Sequence, residues 1–541
     1  MGKERKGNLG FAVCIAALLL FMVLSRAVGL TYNLSIHPDE SEFYNGSKSL
    51  AQSILDPNVP FEEEKEYPEG AYVLQLPFQL MKELLDSDHW FWRSAQCWSR
   101  ISSVFYFVLA VVYGVLILTK YMSQSKLAAI LYVLTMCFSL FFIEHSRYGV
   151  GDMGSLFLLM VCIYHCAGAL QTGKMVHLAI AFACSGVLCA VKYPQLFFIL
   201  IPIATYFHMR GKNKKTVYGI IGFVLIALLF LLMFSPKAAV DPAYFWRVLD
   251  REGKAYVTEG TDYNSGGLLN NVIGTILYTL LYSDFPLSFL LVAVYFGKSL
   301  TCRSLGNETD FLFGKLLPAA VILFFGYNLF AKLLVFRTFT PFFGLTALYA
   351  AEAAGKLYQR CDKKNRPIGR AVVLGLTCLM ILRGGYLLYV TGHQGDDKDR
   401  FTPLFTAVVD DNWNKVSLLT PYNVAAEYSF EENLNCPENL SIQHVSFNRY
   451  IRENGMTIQP GELVITGSYE YGLMAPYFVT YEKSLTASED ALWAEFRQVN
   501  QDYFVGQMYP SGYYYLFGGW IRGGTMSTFL MPCDMVYYRS A

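Results

Sequence analysis

Long apolar runs place the strongest constraint on how this chain can fold. About eleven stretches approach the ~20 hydrophobic residues that an α-helix needs to cross the hydrocarbon core of a bilayer. Only 16% of the 541 residues are charged, against about 25% in an average soluble protein. The sequence therefore predicts an α-helical polytopic membrane protein. The predicted spans lie near residues 11–30, 101–119, 127–143, 153–170, 176–191, 194–208, 216–235, 285–299, 311–330, 338–355 and 371–390.

The basic residues predict the orientation of these spans. If the spans alternate in direction, the Lys and Arg residues of the short loops fall on one side, which the positive-inside rule identifies as the cytoplasm. The stretch 268–283 is ambiguous, because it fits either an interfacial helix or the start of a long span. The N-terminus is then cytoplasmic, and the segments that face outward are 31–100, 144–152, 236–267 and everything after residue 390.

The composition changes near residue 390, which predicts a transmembrane domain over 1–390 and an extracytoplasmic soluble domain over 391–541. Short runs of β-forming residues separated by Gly and Pro predict a mixed α/β fold for the second domain. Its predicted elements are strands at Val416–Leu419, Leu463–Thr466 and Tyr513–Phe517 and a helix near Ser488–Gln498. The net charge is zero and no basic stripe lies outside the inner loops, so nucleic acid is not a predicted partner.

Ionisable residues recur at the predicted outer ends of the spans. They are His37-Pro38-Asp39-Glu40, the turn Glu144–Asp152 with Arg147, Lys192-Tyr193-Pro194, and Arg337. Because such groups cost free energy to desolvate at a membrane face, several of them together indicate a functional site. If the spans pack against one another, two sources of carboxylate and three cations meet in one outward cleft.

Carboxylates beside cations suit the transfer of a sugar from a lipid phosphate. An acceptor hydroxyl becomes a good nucleophile only as its proton leaves, so a positioned carboxylate serves as general base. The leaving phosphate develops charge that Lys, Arg or a metal ion must stabilise. Arg offers paired N–H donors and Lys a compact charge, and both occur here.

These four motifs resemble, in order and spacing, those of the polyprenyl-phosphate-dependent glycosyltransferases of the GT-C class, which include protein O-mannosyltransferases and lipid A aminoarabinose transferases. The resemblance covers roughly residues 1–355, including the Tyr67-Pro68 step. It implies an inverting transferase of bacterial type in the plasma membrane, using a polyprenyl-phosphate sugar and a glycan, lipid or protein acceptor. It implies Asp39 as base with Glu40 orienting it. The implied donor-binding residues are Arg147, Asp152, Lys192, Tyr193 and Arg337.

Structural explanations stay open for the same residues. Asp39-Glu40 and Asp152 fit helix caps, Arg147 fits an ion pair with Glu144 or Asp152, and Lys192 and Arg337 fit interfacial anchors. The acidic run that ends at Glu69 fits a solvated turn. No cofactor is certain, but His37 and His145 with nearby carboxylates fit a divalent metal. Two other functions also stay open: a membrane transporter, and a non-catalytic glycan-binding membrane protein.

Overall fold

The computed structural model divides the chain into two compact units. The first comprises Met1–Leu30, Glu42–Thr261 and Gly267–Leu388, and the second comprises Thr31–Ser41, Asp262–Gly266 and Tyr389–Ala541. The described residues are 2–27, 30, 40–61, 68–85, 94–122, 125–211, 213–254, 292, 308–330, 336–363, 366–393, 415–420, 441–459, 462–467, 495–496, 498–508 and 535–539. The predicted domain boundary at residue 390 stays a prediction.

The described part of the chain before residue 394 is helical. Its α-helices are α1 (Gly2–Ala27), α2 (Glu40–Leu55), α3 (Gly70–Leu85), α4 (Ala95–Lys120), α5 (Lys126–Phe138), α6 (Leu140–His145), α7 (Asp152–Thr172), α8 (Met175–Val191), α9 (Leu200–Arg210), α10 (Lys214–Phe234), α11 (Pro236–Val240), α12 (Pro242–Gly253), α13 (Glu308–Phe311), α14 (Leu317–Leu329), α15 (Thr340–Lys363) and α16 (Pro367–His393). Two 3₁₀ helices cover Tyr193–Ile199 and Phe336–Phe339, and a π-helical turn covers Leu312–Leu316.

Local signals in the sequence explain where several of these helices begin. Ser94, Ser125 and Asn213 precede α4, α5 and α10, and each side chain accepts a hydrogen bond from the backbone N–H three residues ahead. Such caps satisfy one of the donors that the first turn of a helix leaves without a partner.

Six helices in the described part of the chain are long and apolar enough to cross a membrane, and the chain is an integral membrane protein. Their apolar segments are Asn8–Ala27, Ala95–Lys120, Asp152–Thr172, Lys214–Phe234, Thr309–Tyr327 and Pro367–Tyr386. Two shorter apolar helices cover Lys126–Phe138 and Met175–Val191. The predicted total of about eleven spans stays a prediction, and the span predicted at 285–299 lies outside the described residues apart from Val292.

The most deeply buried of these helices is α7, which packs against α4 and α8, while α8 also packs against α10. Gly186 of α8 lies so close to the carbonyl oxygen of Ala227 in α10 that a side chain there would collide with it. The apolar segment of α7 is 83% buried, whereas those of α1 and α10 are 6% buried. We infer that α1 and α10 present their apolar side chains to lipid.

The described strands of the second unit form one mixed sheet. They are β1 (Lys415–Thr420), β2 (Ser441–Ser446), β3 (Glu462–Gly467), β4 (Phe504–Met508) and β5 (Met535–Arg539). The order is β2-β1-β3-β5-β4, with β1 parallel to β2 and β3, and β5 antiparallel to β3 and β4. A helix, α17 (Phe447–Asn454), follows β2.

Two of the strands predicted in this segment coincide with described strands. The predicted Val416–Leu419 lies within β1 and the predicted Leu463–Thr466 within β3. The predicted strand Tyr513–Phe517 lies outside the described residues, as does most of the predicted helix Ser488–Gln498. The outward position of this unit stays a prediction.

Candidate functional site

Three segments of the first unit approach one another at backbone distance. A Cβ atom on Gly70, at the start of α3, would lie 2.5 Å from the carbonyl carbon of Ala190 near the end of α8. A Cβ atom on Gly151, just before α7, would lie 3.0 Å from a methyl group of Val191 and 3.1 Å from the Cβ of Ala71. Glycine permits this approach because it has no side chain. The adjacent residues along these three segments are Glu69, Asp152 and Lys192. The close approach of the backbones therefore brings these three residues to one junction.

Asp152 and Lys192 form an ion pair at this junction. The Lys192 ammonium donates to the Asp152 Oδ1 at 2.7 Å, and the two side chains are 21% and 5% exposed. Asp152 is the first residue of α7, where the helix dipole favours a negative charge. Lys192 has an extended backbone between the end of α8 and the 3₁₀ helix Tyr193–Ile199, which carries a proline in its first turn. Proline costs little there, because that N–H has no helical partner in any case.

Asp152 is not the N-cap of its helix. Gly151 occupies the cap position and provides no side-chain hydrogen bond. The carboxylate of Asp152 is therefore available to Lys192. The sequence left open whether Asp152 is a helix cap or a site residue, and a helix cap does not describe its position. The alternative of an ion pair between Arg147 and Asp152 is also absent among the described contacts, because the Asp152 carboxylate bonds Lys192 instead.

Arg147 is a buried cation in the turn between α6 and α7, with 1% of its surface exposed. Its Nη2 donates to the carbonyl oxygen of Ser25 at 2.8 Å, while its Nε and Nη1 have no acceptor among the described residues. Burial, together with the positive charges of Arg26 and Arg100, lowers the pKa of Arg147 to about 9. Those two arginines are also buried. The three together make a concentrated positive region beneath the turn.

Arg26 and Arg100 are held by main-chain carbonyl groups. Arg26 donates to the carbonyl oxygen of Met136 at 3.1 Å and lies over the ring of Phe107. Arg100 donates to the carbonyl oxygen of Leu30 at 2.6 Å, which connects α4 to the chain that leaves α1. These contacts orient two guanidinium groups whose positive charge acts on Arg147.

A buried polar network fixes the turn that carries Arg147 and Asp152. The carbonyl oxygen of Gly149 accepts hydrogen bonds from Gln75 at 2.8 Å and from Ser99 at 3.0 Å. The Oε1 of Gln75 in turn accepts from Ser99 at 2.6 Å and from Ser47 at 3.2 Å. Helices α2, α3 and α4 each contribute one of these side chains. A satisfied buried network of this kind holds one geometry and rigidifies its surroundings.

Glu69 belongs to the same junction, although the sequence favours a solvated turn for the acidic run that it ends. It is 2% exposed, and its Oε2 accepts a hydrogen bond at 2.8 Å from the backbone N–H of Lys237, the second residue of α11. The Lys237 ammonium lies 4.7 Å from the ring centre of Phe61 and 5.5 Å from that of Tyr244. The expectation of a solvated turn is wrong for Glu69, because α11 covers it.

Gln195 is a second buried polar residue that sequence reasoning missed. It is 2% exposed, and neither its Oε1 nor its Nε2 has a hydrogen-bond partner among the described residues. The backbone N–H of Gln195 donates to the carbonyl oxygen of Lys192 at 2.9 Å, which connects the 3₁₀ helix to the residue of the ion pair. Neighbouring Tyr193 is buried and packs against Phe245, 4.8 Å between ring centres. A buried amide that lacks partners is rare and calls for an explanation.

The comparisons with known proteins bear on the helical fold. No protein-family model matches the sequence, and no curated protein matches it significantly. The structure is similar to that of ArnT from Cupriavidus metallidurans bound to undecaprenyl phosphate, with a TM-score of 0.52 and 11% identity over 84% of this chain and 93% of ArnT. The chain has the GT-C fold. The predicted resemblance to the GT-C class is thereby confirmed at the level of the fold.

Two further solved structures are also similar, but with TM-scores below 0.5 they add nothing to the assignment of the GT-C fold. One is the Archaeoglobus fulgidus oligosaccharyltransferase in complex with Zn and sulfate, with a TM-score of 0.48 and 12% identity over 92% of this chain and 72% of that one. The other is the Archaeoglobus fulgidus AglB with an inhibitory peptide and a dolichol-phosphate, with a TM-score of 0.46 and 10% identity over 85% and 70%.

The structure describes only part of the predicted site in this GT-C fold. Asp39 and His37 lie outside the described residues, and Glu40 is the buried first residue of α2. Arg337 lies in the 3₁₀ helix Phe336–Phe339, just before α15, and its side chain is outside the described part. The predicted roles of these residues stay predictions. Among the described residues, Asp152 forms an ion pair with Lys192, and Arg147 is buried together with two other arginines.

The predicted metal site can be tested only on the described residues. Within them, no three His, Cys, Asp or Glu side chains come together in a way that would hold a metal ion. His145 is buried and packs on the ring of Phe141, 4.3 Å between ring centres. Because His37 and the side chain of Glu144 lie outside the described part of the chain, the predicted metal site stays a prediction, and the steps proposed below run through this chain's own side chains.

Proposed function

We propose that the protein is an inverting glycosyltransferase that moves a sugar from a polyprenyl-phosphate carrier to an extracytoplasmic acceptor, in a bacterial plasma membrane with its C-terminal unit outside. The GT-C fold supports this, and the decisive observation is Arg147. Two nitrogens of its buried guanidinium lack acceptors among the described residues. Leaving a buried cation without a partner costs several kcal/mol. The oxygens of a lipid phosphate would accept from these donors with charge-assisted hydrogen bonds.

The proposed reaction is a single displacement at the anomeric carbon of the sugar. The acceptor hydroxyl gives its proton to the carboxylate of Asp39, which Glu40 orients, and its oxygen attacks from the face opposite the phosphate. A new carbon–oxygen bond forms as the bond between sugar and phosphate breaks. The electron pair of the broken bond leaves on the phosphate oxygen, so the products are an inverted glycoside and polyprenyl phosphate.

The remaining residues would stabilise the leaving phosphate and place the donor. Arg147, Lys192 and Arg337 would meet the charge that develops on its oxygens. The ion pair with Asp152 supports the role of Lys192, because it holds the ammonium in place while the side chain stays 21% exposed. Tyr193 would line the sugar pocket. A hydrophobic carrier would lie along the apolar helices.

The proposal is tested by transfer from radiolabelled polyprenyl-phosphate hexose and pentose, with purified full-length protein and a membrane extract as the source of acceptors. We expect Asp39→Asn to lose about 10²-fold or more of the rate, the usual contribution of a general base. Asp56→Asn is the matched control, because it makes the same change at an exposed position of the same outer segment. It should retain the wild-type rate.

Two outcomes would contradict the proposal. Equal turnover by wild type and Asp39→Asn, with equal thermal stability, would remove Asp39 as the base. No turnover with any donor by a wild-type protein that binds the lipid phosphate would remove the transferase activity itself and favour a transporter or a glycan-binding protein.

A further inference from the structure

A groove at the other ends of the helices lies apart from the candidate site. It has a volume of about 970 Å³ and lies where α9 ends, α10 begins and α13 contributes Phe311. Most of its lining is apolar, and the residues are Ala204, Phe207, His208, Lys214, Val217 and Phe311, with Gly211 and Asn213 at the connecting turn. The ring of His208 stacks on that of Phe311, 4.0 Å apart and nearly parallel. This stacking forms one firm wall of the groove.

An apolar row on α10 continues from the groove along the membrane-facing side. Val217, Ile221, Leu225 and Leu228 are 49%, 51%, 58% and 47% exposed. They are spaced by four, four and three residues, so they share one face of the helix. Lys214 lies three residues before Val217 and therefore stands at the head of the same row. A cationic side chain at the end of an apolar helix face complements a phospholipid, which has an anionic head group and apolar acyl chains.

The charge at the head of the row favours an anion. Lys214 is exposed, lines the groove and forms no ion pair with a described side chain, whereas Arg210 and Lys215 beside it do not line the groove. The positive-inside rule predicts that this connection faces the cytoplasm. Basic clusters at the cytoplasmic end of a transmembrane helix attract anionic lipid head groups, and basic pockets between such helices bind them.

We propose that this groove binds one anionic phospholipid of the cytoplasmic leaflet. Its phosphate lies at Lys214, its glycerol region lies beside the stacked His208 and Phe311, and one acyl chain follows Val217, Ile221 and Leu225. The inference is independent of the proposed transferase activity, because it uses none of the residues placed in the candidate site.

The test is a titration of the full-length protein in detergent, followed by native mass spectrometry, with dioleoyl-phosphatidylglycerol against dioleoyl-phosphatidylcholine. We expect one molecule of phosphatidylglycerol to bind more tightly than phosphatidylcholine. Lys214→Gln should weaken that binding about fivefold, the effect of one basic residue near an anionic head group. Lys215→Gln is the matched control: it removes the same charge one position further round the helix and should change the affinity less than twofold.

A second variant tests the apolar part of the site. Ala204→Phe adds a ring inside the groove and should weaken both phospholipids, with the apparent unfolding temperature confirming that the protein is folded. Equal losses of affinity for phosphatidylglycerol in Lys214→Gln and Lys215→Gln would overturn the proposal. They would indicate that the lipid is attracted by the overall positive charge of this region and not by a site at Lys214. It would also be overturned if Ala204→Phe bound both lipids normally, or if Lys214→Gln weakened undecaprenyl phosphate as much as phosphatidylglycerol, since the groove would then belong to the carrier.

Discussion

Removal of the Lys192 ammonium tests the ion pair at the centre of the candidate site. In Lys192→Ala the carboxylate of Asp152, 5% exposed in the intact pair, loses the ammonium that donates to it at 2.7 Å. Breaking a buried pair from one side costs about 3–5 kcal/mol, of which the N-terminus of α7 recovers about 0.3–1 kcal/mol. The loss of folding free energy has an upper limit, because the carboxylate can be protonated instead. Keeping an ordinary aspartate protonated at pH 7 costs about 4 kcal/mol. We therefore expect a loss of about 3–4 kcal/mol at pH 7.

The same reasoning predicts how this loss depends on pH. At pH 5.5 the cost of protonating an ordinary aspartate falls to about 2 kcal/mol, so Lys192→Ala should regain stability relative to wild type as the pH falls. The assay is thermal unfolding of detergent-purified protein at both pH values, followed by the fluorescence of its seven tryptophans. The double variant Asp152→Asn/Lys192→Ala removes the stranded charge and should recover more than half of the loss. Sugar transfer should stay low in both variants.

Three results would refute this account. An unchanged unfolding temperature for Lys192→Ala would show that the pair is not effectively buried. A loss that does not shrink between pH 7 and pH 5.5, or that the double variant does not recover, would show that the stranded carboxylate is not its cause. Wild-type transfer by a folded Lys192→Ala protein would leave the pair as structural support and remove Lys192 from the leaving-group site.

Three other substitutions give distinct expectations. Arg147→Met should leave the unfolding temperature at pH 7 no lower than in wild type, because it removes a buried cation with two nitrogens that lack acceptors among the described residues, but it should weaken donor binding. Gly70→Ala should lower the free energy of unfolding by about 1–3 kcal/mol and lower the rate of sugar transfer, because the added Cβ meets the backbone of Ala190. Gly222→Ala is the control, because a Cβ there has open space around it. Gln195→Leu should be neutral or stabilising, because it removes an amide without partners, yet raise the KM for the donor.

The parts of this structure that could be predicted from the sequence depend on local signals. Apolar runs predict helices because the bilayer requires backbone groups to bond within one segment, and the described helices lie at ten of the eleven predicted positions. Asp152 and Lys192 were candidates because each stands at the end of such a run. Their ion pair follows once α7 and α8 form a hairpin, since the start of one helix then meets the end of the other.

The residues that were missed depend on contacts between distant segments. Gln75 bonds Gly149 across 74 positions, and Arg100 bonds the Leu30 carbonyl across 70. Glu69 appeared solvated because its neighbours in the chain are acidic, and only the packing of α11 over it shows otherwise. Gln195 carries one detectable signal: it lies three residues after a candidate lysine in a segment that a proline separates from the preceding helix.

The burial of Arg147 links stability to ligand binding in this protein. Two nitrogens of its guanidinium lack acceptors among the described residues, so the folded protein without an anion has a free-energy cost that its helical packing must offset. A bound anion removes that cost only from the folded state. Because a ligand that binds the native state alone stabilises it by RT ln(1 + [L]/Kd), a polyprenyl phosphate should raise the unfolding temperature of wild type, and of Arg147→Met much less. In the proposed transferase, the charge that destabilises the unliganded fold would then also provide the affinity for the carrier.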